Sequence, residues 1–150
     1  MEYTIADIYA LPDGERAELL DGKIYYMALP DTRHQMLVSD FIYRIRDHIS
    51  RNHGECVVFP APFAVFINQD ERNYVEPDIS VICDKNKITD RGCNGAPDWV
   101  IEIVSPSTIS RKKMGRNTPM GRKCRRASLR DFPLRYSNLQ QTPLAATGKG

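Results

Sequence analysis

The apolar residues of this chain are concentrated in its first 110 positions, and that bounds what it can fold into. From Ser110 to Gly150 there is no Val, Ile or Trp, and Leu occurs only at 129, 134, 139 and 144. A packed core buries aliphatic and aromatic side chains, so a core must be built from the residues upstream. Charge divides at the same place. Residues 1–110 carry 10 Lys+Arg against 18 Asp+Glu, a net of −8, whereas residues 111–150 carry 11 against one, a net of +10. A polar, one-signed segment buries too little apolar surface to offset its ordering entropy. Residues 111–150 therefore read as a basic, disordered tail on a single-core body of residues 1–110. Translation in a shifted reading frame after about Ser110 would produce such a break.

Several classes are set aside by composition. No apolar run approaches the ~20 residues of a membrane helix. The start, MEYTIADIYALPDGE, has neither early Lys or Arg nor an apolar signal core, so a cytoplasmic location is expected. Cys56, Cys83, Cys93 and Cys124 are separated by 27, 10 and 31 positions, without the close pairs of a structural zinc site. Reduced thiols in a reducing compartment are the expectation.

Within the body, Thr4 to Leu11 reads as a short helix stopped by Pro12-Asp13-Gly14. Asp21-Gly22 between Ala17–Leu20 and Lys23–Met27 predicts a hairpin, because a two-residue turn of this kind needs positive φ at both centres. Asp31 is placed to cap a helix running to about Asn52, with Leu37, Val38, Phe41, Ile42, Ile45 and Ile49 on one face. Cys56 to Ile67 is β-rich but interrupted by Pro60 and Pro62, so it reads as a bent or edge strand pair. Residues 78–83 and 98–104 read as strands, joined by a polar loop from Asp84 to Pro97.

The chemistry rests on those two strands. If they pair antiparallel around a loop centred near Asp90, Asp78 falls opposite residues 102–104, and facing residues lie roughly 4.5–5.5 Å apart. Asp78 and Glu102 then project carboxylates into one site suited to Mg²⁺, which takes hard oxygen ligands and keeps several waters. Glu102 lies among Val100, Ile101, Ile103 and Val104, where a charge is costly unless paired or metal-bound. The spacing is equally compatible with Glu102 facing solvent and Asp78 merely opening a strand after Pro77.

Two segments carry a resemblance. "Tyr74-Val75-Glu76-Pro77-Asp78-Ile79-Ser80-Val81-Ile82-Cys83" and "Gly95-Ala96-Pro97-Asp98-Trp99-Val100-Ile101-Glu102-Ile103-Val104-Ser105-Pro106-Ser107-Thr108" together resemble the signature of the Uma-two family of restriction-endonuclease-like proteins. Glu18 to Ile24 and the helix led by His34 match in the same order, so the resemblance covers about residues 4–110. It implies an α+β or α/β fold, a mixed sheet core flanked by helices, of the PD-(D/E)XK superfamily. It implies Asp78 as the Asp of the PD motif, Glu102 as the acid of the (D/E)XK motif, Glu18 as a further acid near the metal and His34 as a contact to substrate phosphate. The reaction implied is Mg²⁺-dependent (or Mn²⁺-dependent) hydrolysis of DNA phosphodiesters, in which the ion polarises a phosphoryl oxygen and activates water. Proteins of the superfamily often act as homodimers.

The sequence also departs from that pattern. Val104 stands where the linear motif has its lysine; in this family the lysine moves to the following helix. Lys112 and Lys113 are the nearest candidates, but Gly115 and Pro119 make a poor helix there, together costing its interior about 4 kcal/mol. Nothing in 111–150 resembles the family's last helix and tryptophan-bearing strand. Loss of that cover predicts an exposed apolar patch around Trp99–Val104, marginal stability and impaired cleavage. The alternative is a non-catalytic nucleic-acid binder acting through its basic tail, with strongly salt-dependent affinity.

Overall fold

A computed structural model describes residues 1–103 and one strand further on, Arg125–Ala127. Three hydrophobic clusters organise it, and each is built where the sequence alternates or repeats correctly.

The first cluster joins α1 (Ile5–Tyr9) to a hairpin of β1 (Ala17–Leu20) and β2 (Lys23–Tyr26). Asp7 accepts the N–H of Thr4 at 2.7 Å, closing the first turn of α1. The hairpin pairs Leu20 with Lys23 around Asp21 (φ 50°) and Gly22 (φ 75°), the backbone geometry expected of Asp-Gly. Ile5, Ile8, Ala17, Leu19 and Tyr74 pack together beneath it.

α2 (Thr32–Arg51) is capped by Asp31, whose Oδ1 accepts the N–H of His34 at 2.7 Å. Its face, centred on buried Phe41 and Ile45, lies on one side of a four-stranded sheet ordered β3-β5-β8-β9. The strands are β3 (Val57–Pro60), β5 (Ile79–Ile82), β8 (Trp99–Ile101) and β9 (Arg125–Ala127), with β4 (Val65–Phe66) lying between β3 and β5 in sequence. Ile79, Val81, Ile101 and Ile103 meet α2; Ile82 and Val100 point the other way, against Val65, Ile67, Val75 and Cys93. β3 stands at the sheet edge, where Pro60 costs no ladder bond on its outer side.

Four expectations are corrected. The segment from Asp84 to Pro97 is not wholly loop: β6 (Ile88–Thr89) and β7 (Gly92–Asn94) pair, and β7 runs parallel to β4 in a separate three-stranded sheet. Gly92 permits this, because its φ is 138° and a Cβ there would sit 2.2 Å from the carbonyl oxygen of Ala64. Cys56 and Cys83 are not free thiols but a disulfide, flanking the facing pair Val57 and Ile82 and thus one step along an antiparallel register. The apolar patch expected around Trp99–Val104 is covered as far as it is described: Val100, Ile101 and Ile103 are 0%, 3% and 4% exposed. Finally, Arg125–Ala127 forms a strand parallel to β8, an element with no apolar alternation to announce it. The rest of the tail, with Lys112 and Lys113, lies outside the described residues, as does the expectation of disorder there. Among the described residues no helix is long and apolar enough to cross a membrane.

Candidate functional site

Asp78 sits at the entrance of β5, immediately after Pro77. Its carbonyl accepts the N–H of Ala61 at 3.0 Å, which fixes the backbone against the end of β3. β5 pairs antiparallel with β8 as Ile79 with Ile101, Ser80 with Val100 and Val81 with Trp99. One step further along this register, Asp78 faces Glu102, and both are half-buried. Facing residues of an antiparallel pair project to the same side of the sheet, so the register aims the two acids at a common region.

The carboxylate of Asp78 is held at both oxygens. Oδ2 accepts the N–H of Ile103 at 2.6 Å, and Nε2 of His34 lies 3.2 Å from Oδ1. The latter contact brings the first turn of α2 onto the sheet end. His34, expected at substrate phosphate, is thus placed against the acid itself; its Nδ1 is buried without a hydrogen-bond partner among the described residues. Ser80 Oγ, two positions further along β5, is likewise buried and unpartnered among the described residues.

Glu18 takes another position. Its Oε1 accepts the backbone N–H of Glu76 at 3.1 Å, beside the bridge between Leu19 and Tyr74. Among the described residues no group of three or more His, Cys, Asp or Glu side chains could hold a metal ion, so Glu18 is not assembled with Asp78 and Glu102 as a third ligand. Two facing carboxylates nevertheless suit Mg²⁺, which is commonly held by one or two carboxylates with waters and substrate phosphate completing the shell.

The sequence reading missed the network next to the site. Glu76, 8% exposed, accepts Nε of Arg16 at 2.9 Å and the hydroxyl of Tyr74 at 2.6 Å. Burial, reinforced by the hydrogen bond and the negative charge of Glu76, pushes the Tyr74 hydroxyl well above the usual tyrosine range. The signal available was an acid wedged between Val75 and Pro77; Arg16 and Glu18 were not readable as its partners, because they lie 60 and 58 residues upstream.

Three comparisons bear on the class to which this mixed α+β architecture belongs. The sequence model of the Uma2 family, described as "Putative restriction endonuclease", matches residues 5–117. The chain belongs to that family. An "Uncharacterized protein" of Synechocystis sp. is 28% identical over 102 residues, covering 68% of this chain and 52% of that protein. The crystal structure of "a putative nuclease belonging to DUF820" from Anabaena variabilis superposes with a TM-score of 0.57 at 23% identity, over 75% of this chain and 64% of that one. The chain thus spans about half the length of the curated relative it matches. The structural likeness establishes the fold.

Proposed function

We propose that this chain carries the metal-binding half of a Mg²⁺-dependent DNA endonuclease site, with Asp78 and Glu102 as the ligands and cleavage impaired. The observation that supports the reading is the β5–β8 register, which ends with Ile79 opposite Ile101 at the sheet end reached by α2 and, continued by one residue, brings Asp78 opposite Glu102. Family membership and the name given to the Anabaena variabilis protein favour a nuclease over other uses of two facing acids.

The residues divide the work. Asp78, fixed by Ile103 N–H and His34, offers oxygens in a set orientation; Glu102 offers the facing pair. When bound there, Mg²⁺ supplies a Lewis acid for the scissile phosphate and makes a coordinated water a better nucleophile. A cationic side chain would also be needed to offset charge on the substrate phosphate as it reacts. Val104 offers no cation; Lys112 and Lys113, which lie outside the described residues, are the nearest lysines along the chain, and the Gly115 and Pro119 that follow them in sequence are the reason cleavage is expected to be slow.

The test is nicking of supercoiled plasmid by the full chain, followed on ethidium gels with Mg²⁺ or Mn²⁺. Slow or undetectable nicking by the wild type is expected, and whatever is seen should vanish in Asp78→Ala and Glu102→Ala. Nicking that persists unchanged in both variants would refute the assignment, and rapid wild-type cleavage would refute the impairment alone.

A further inference from the structure

Among the described residues Glu76 is the only buried charged side chain, and the mechanism above gives it no part. A buried carboxylate is costly unless paired and hydrogen-bonded, so its place in the fold calls for a reason. Its side chain is held by Arg16 and by the Tyr74 hydroxyl, and its own N–H is donated to Glu18 Oε1. Neighbouring residues are fastened as well: Leu19 and Tyr74 exchange backbone hydrogen bonds at 2.7 and 2.8 Å, Val65 and Val75 at 2.8 and 3.1 Å. Pro77 follows with its ring-fixed φ, and then comes Asp78. Every residue from 74 to 78 is therefore held either by a hydrogen bond to another part of the chain or, at Pro77, by its own ring.

We propose that Glu76 is a positioning residue, locked by Arg16 and Tyr74, that sets the approach of Asp78 to Ile103 and Glu102. The inference rests on the cation site proposed for Asp78 and Glu102. Arg16 has a second part in it. The Arg16 guanidinium offsets the negative charge of Glu76 where it arises, two residues before Asp78. A two-bond lock on a buried acid is a rigid support, whereas an apolar residue at 76 would leave Arg16 and the Tyr74 hydroxyl unpaired.

The experiment uses the full ¹⁵N-labelled chain and the variants Glu76→Gln and Tyr74→Phe. The amide of Ile103 reports directly on Asp78, because it donates to Oδ2, and it does so without metal. Binding of Mn²⁺ alone, by calorimetry, reports on the ligand pair. In Glu76→Gln the Ile103 amide resonance should move while the folded spectrum persists, and Mn²⁺ affinity should fall about tenfold, the usual scale for groups that orient metal ligands. Tyr74→Phe should shift both in the same direction by less. An unmoved Ile103 amide in both variants overturns the positioning role, whatever Mn²⁺ does. A moved amide in a chain whose wild type binds no Mn²⁺ upholds the positioning role and overturns the cation site instead.

Discussion

Asp78 and Asp98 stand at opposite ends of the β5–β8 pair in matching local settings, and their difference is instructive. Each follows a proline and opens a strand, and each accepts a backbone N–H from just past the end of the partner strand. Asp78 Oδ2 takes Ile103 N–H at 2.6 Å; Asp98 Oδ2 takes Cys83 N–H at 2.7 Å. Turn chemistry thus closes both ends of the ladder alike. What separates them is the facing residue. One step beyond the paired register, Asp98 meets Ile82, a wholly buried aliphatic, while Asp78 meets Glu102 with His34 alongside. The Pro-Asp pair makes a strand end, and the residue opposite makes it a candidate site.

The two ends are also fastened differently, which gives the largest expected effect. At the Asp98 end, the Cys56–Cys83 disulfide closes a loop of 27 residues. Reduction by dithiothreitol should lower unfolding free energy by about 2–4 kcal/mol in urea titrations. No change in midpoint would show that the noncovalent pairing of β3 with β5 suffices by itself. Next in size, Asp78→Ala should weaken Mn²⁺ binding at least about tenfold, on the scale of ligand-shell losses, while Asp98→Ala leaves it within about twofold. Equal losses in the two variants would erase the distinction drawn here. Smaller again, Asp98→Ala should cost about 1 kcal/mol of stability for the lost acceptor at an exposed strand end. A loss of several kcal/mol would mean that this end is a structural keystone.

The smallest effect is alkaline and belongs to the Asp78 end. Folded Tyr74 keeps its proton above the ordinary value of 10.0, through burial and then the Glu76 bond. The raised pKa means that its contribution is intact below pH 10 and is lost as pH rises, because the unfolded chain ionises first. Stability should therefore decline above pH 10, with a shallower slope in Tyr74→Phe. Identical slopes would exclude Tyr74 as a source.

Much of this was legible in the residues. Asp21-Gly22 specified its hairpin through backbone φ, and the spacing of Phe41 and Ile45 specified the buried face of α2. The antiparallel pairing of the two strands that carry Asp78 and Glu102 followed from assuming one turnaround near Asp90, and the observed β5–β8 ladder is antiparallel. Long-range partners were beyond reach. β7 lies beside β4 because Gly92 admits the Ala64 carbonyl, a contact 28 residues apart with no local signature. Cys56 and Cys83 become neighbours only once β3 is registered on β5. Glu76 looked like a spacer within a motif; its partner Arg16 is 60 residues upstream.

Paramagnetic broadening of backbone amides by substoichiometric Mn²⁺ tests the central claim most directly. Ile79 and Cys83 are four residues apart on one extended stretch, about 13 Å, far enough for a local ion to discriminate between them. Broadening confined to Ile79, Ile103 and their neighbours, with the Cys83 and Asp98 amides sharp, is the predicted result. Broadening centred on Cys83 and Asp98, or spread evenly over acidic surface residues, would contradict a cation shared by Asp78 and Glu102.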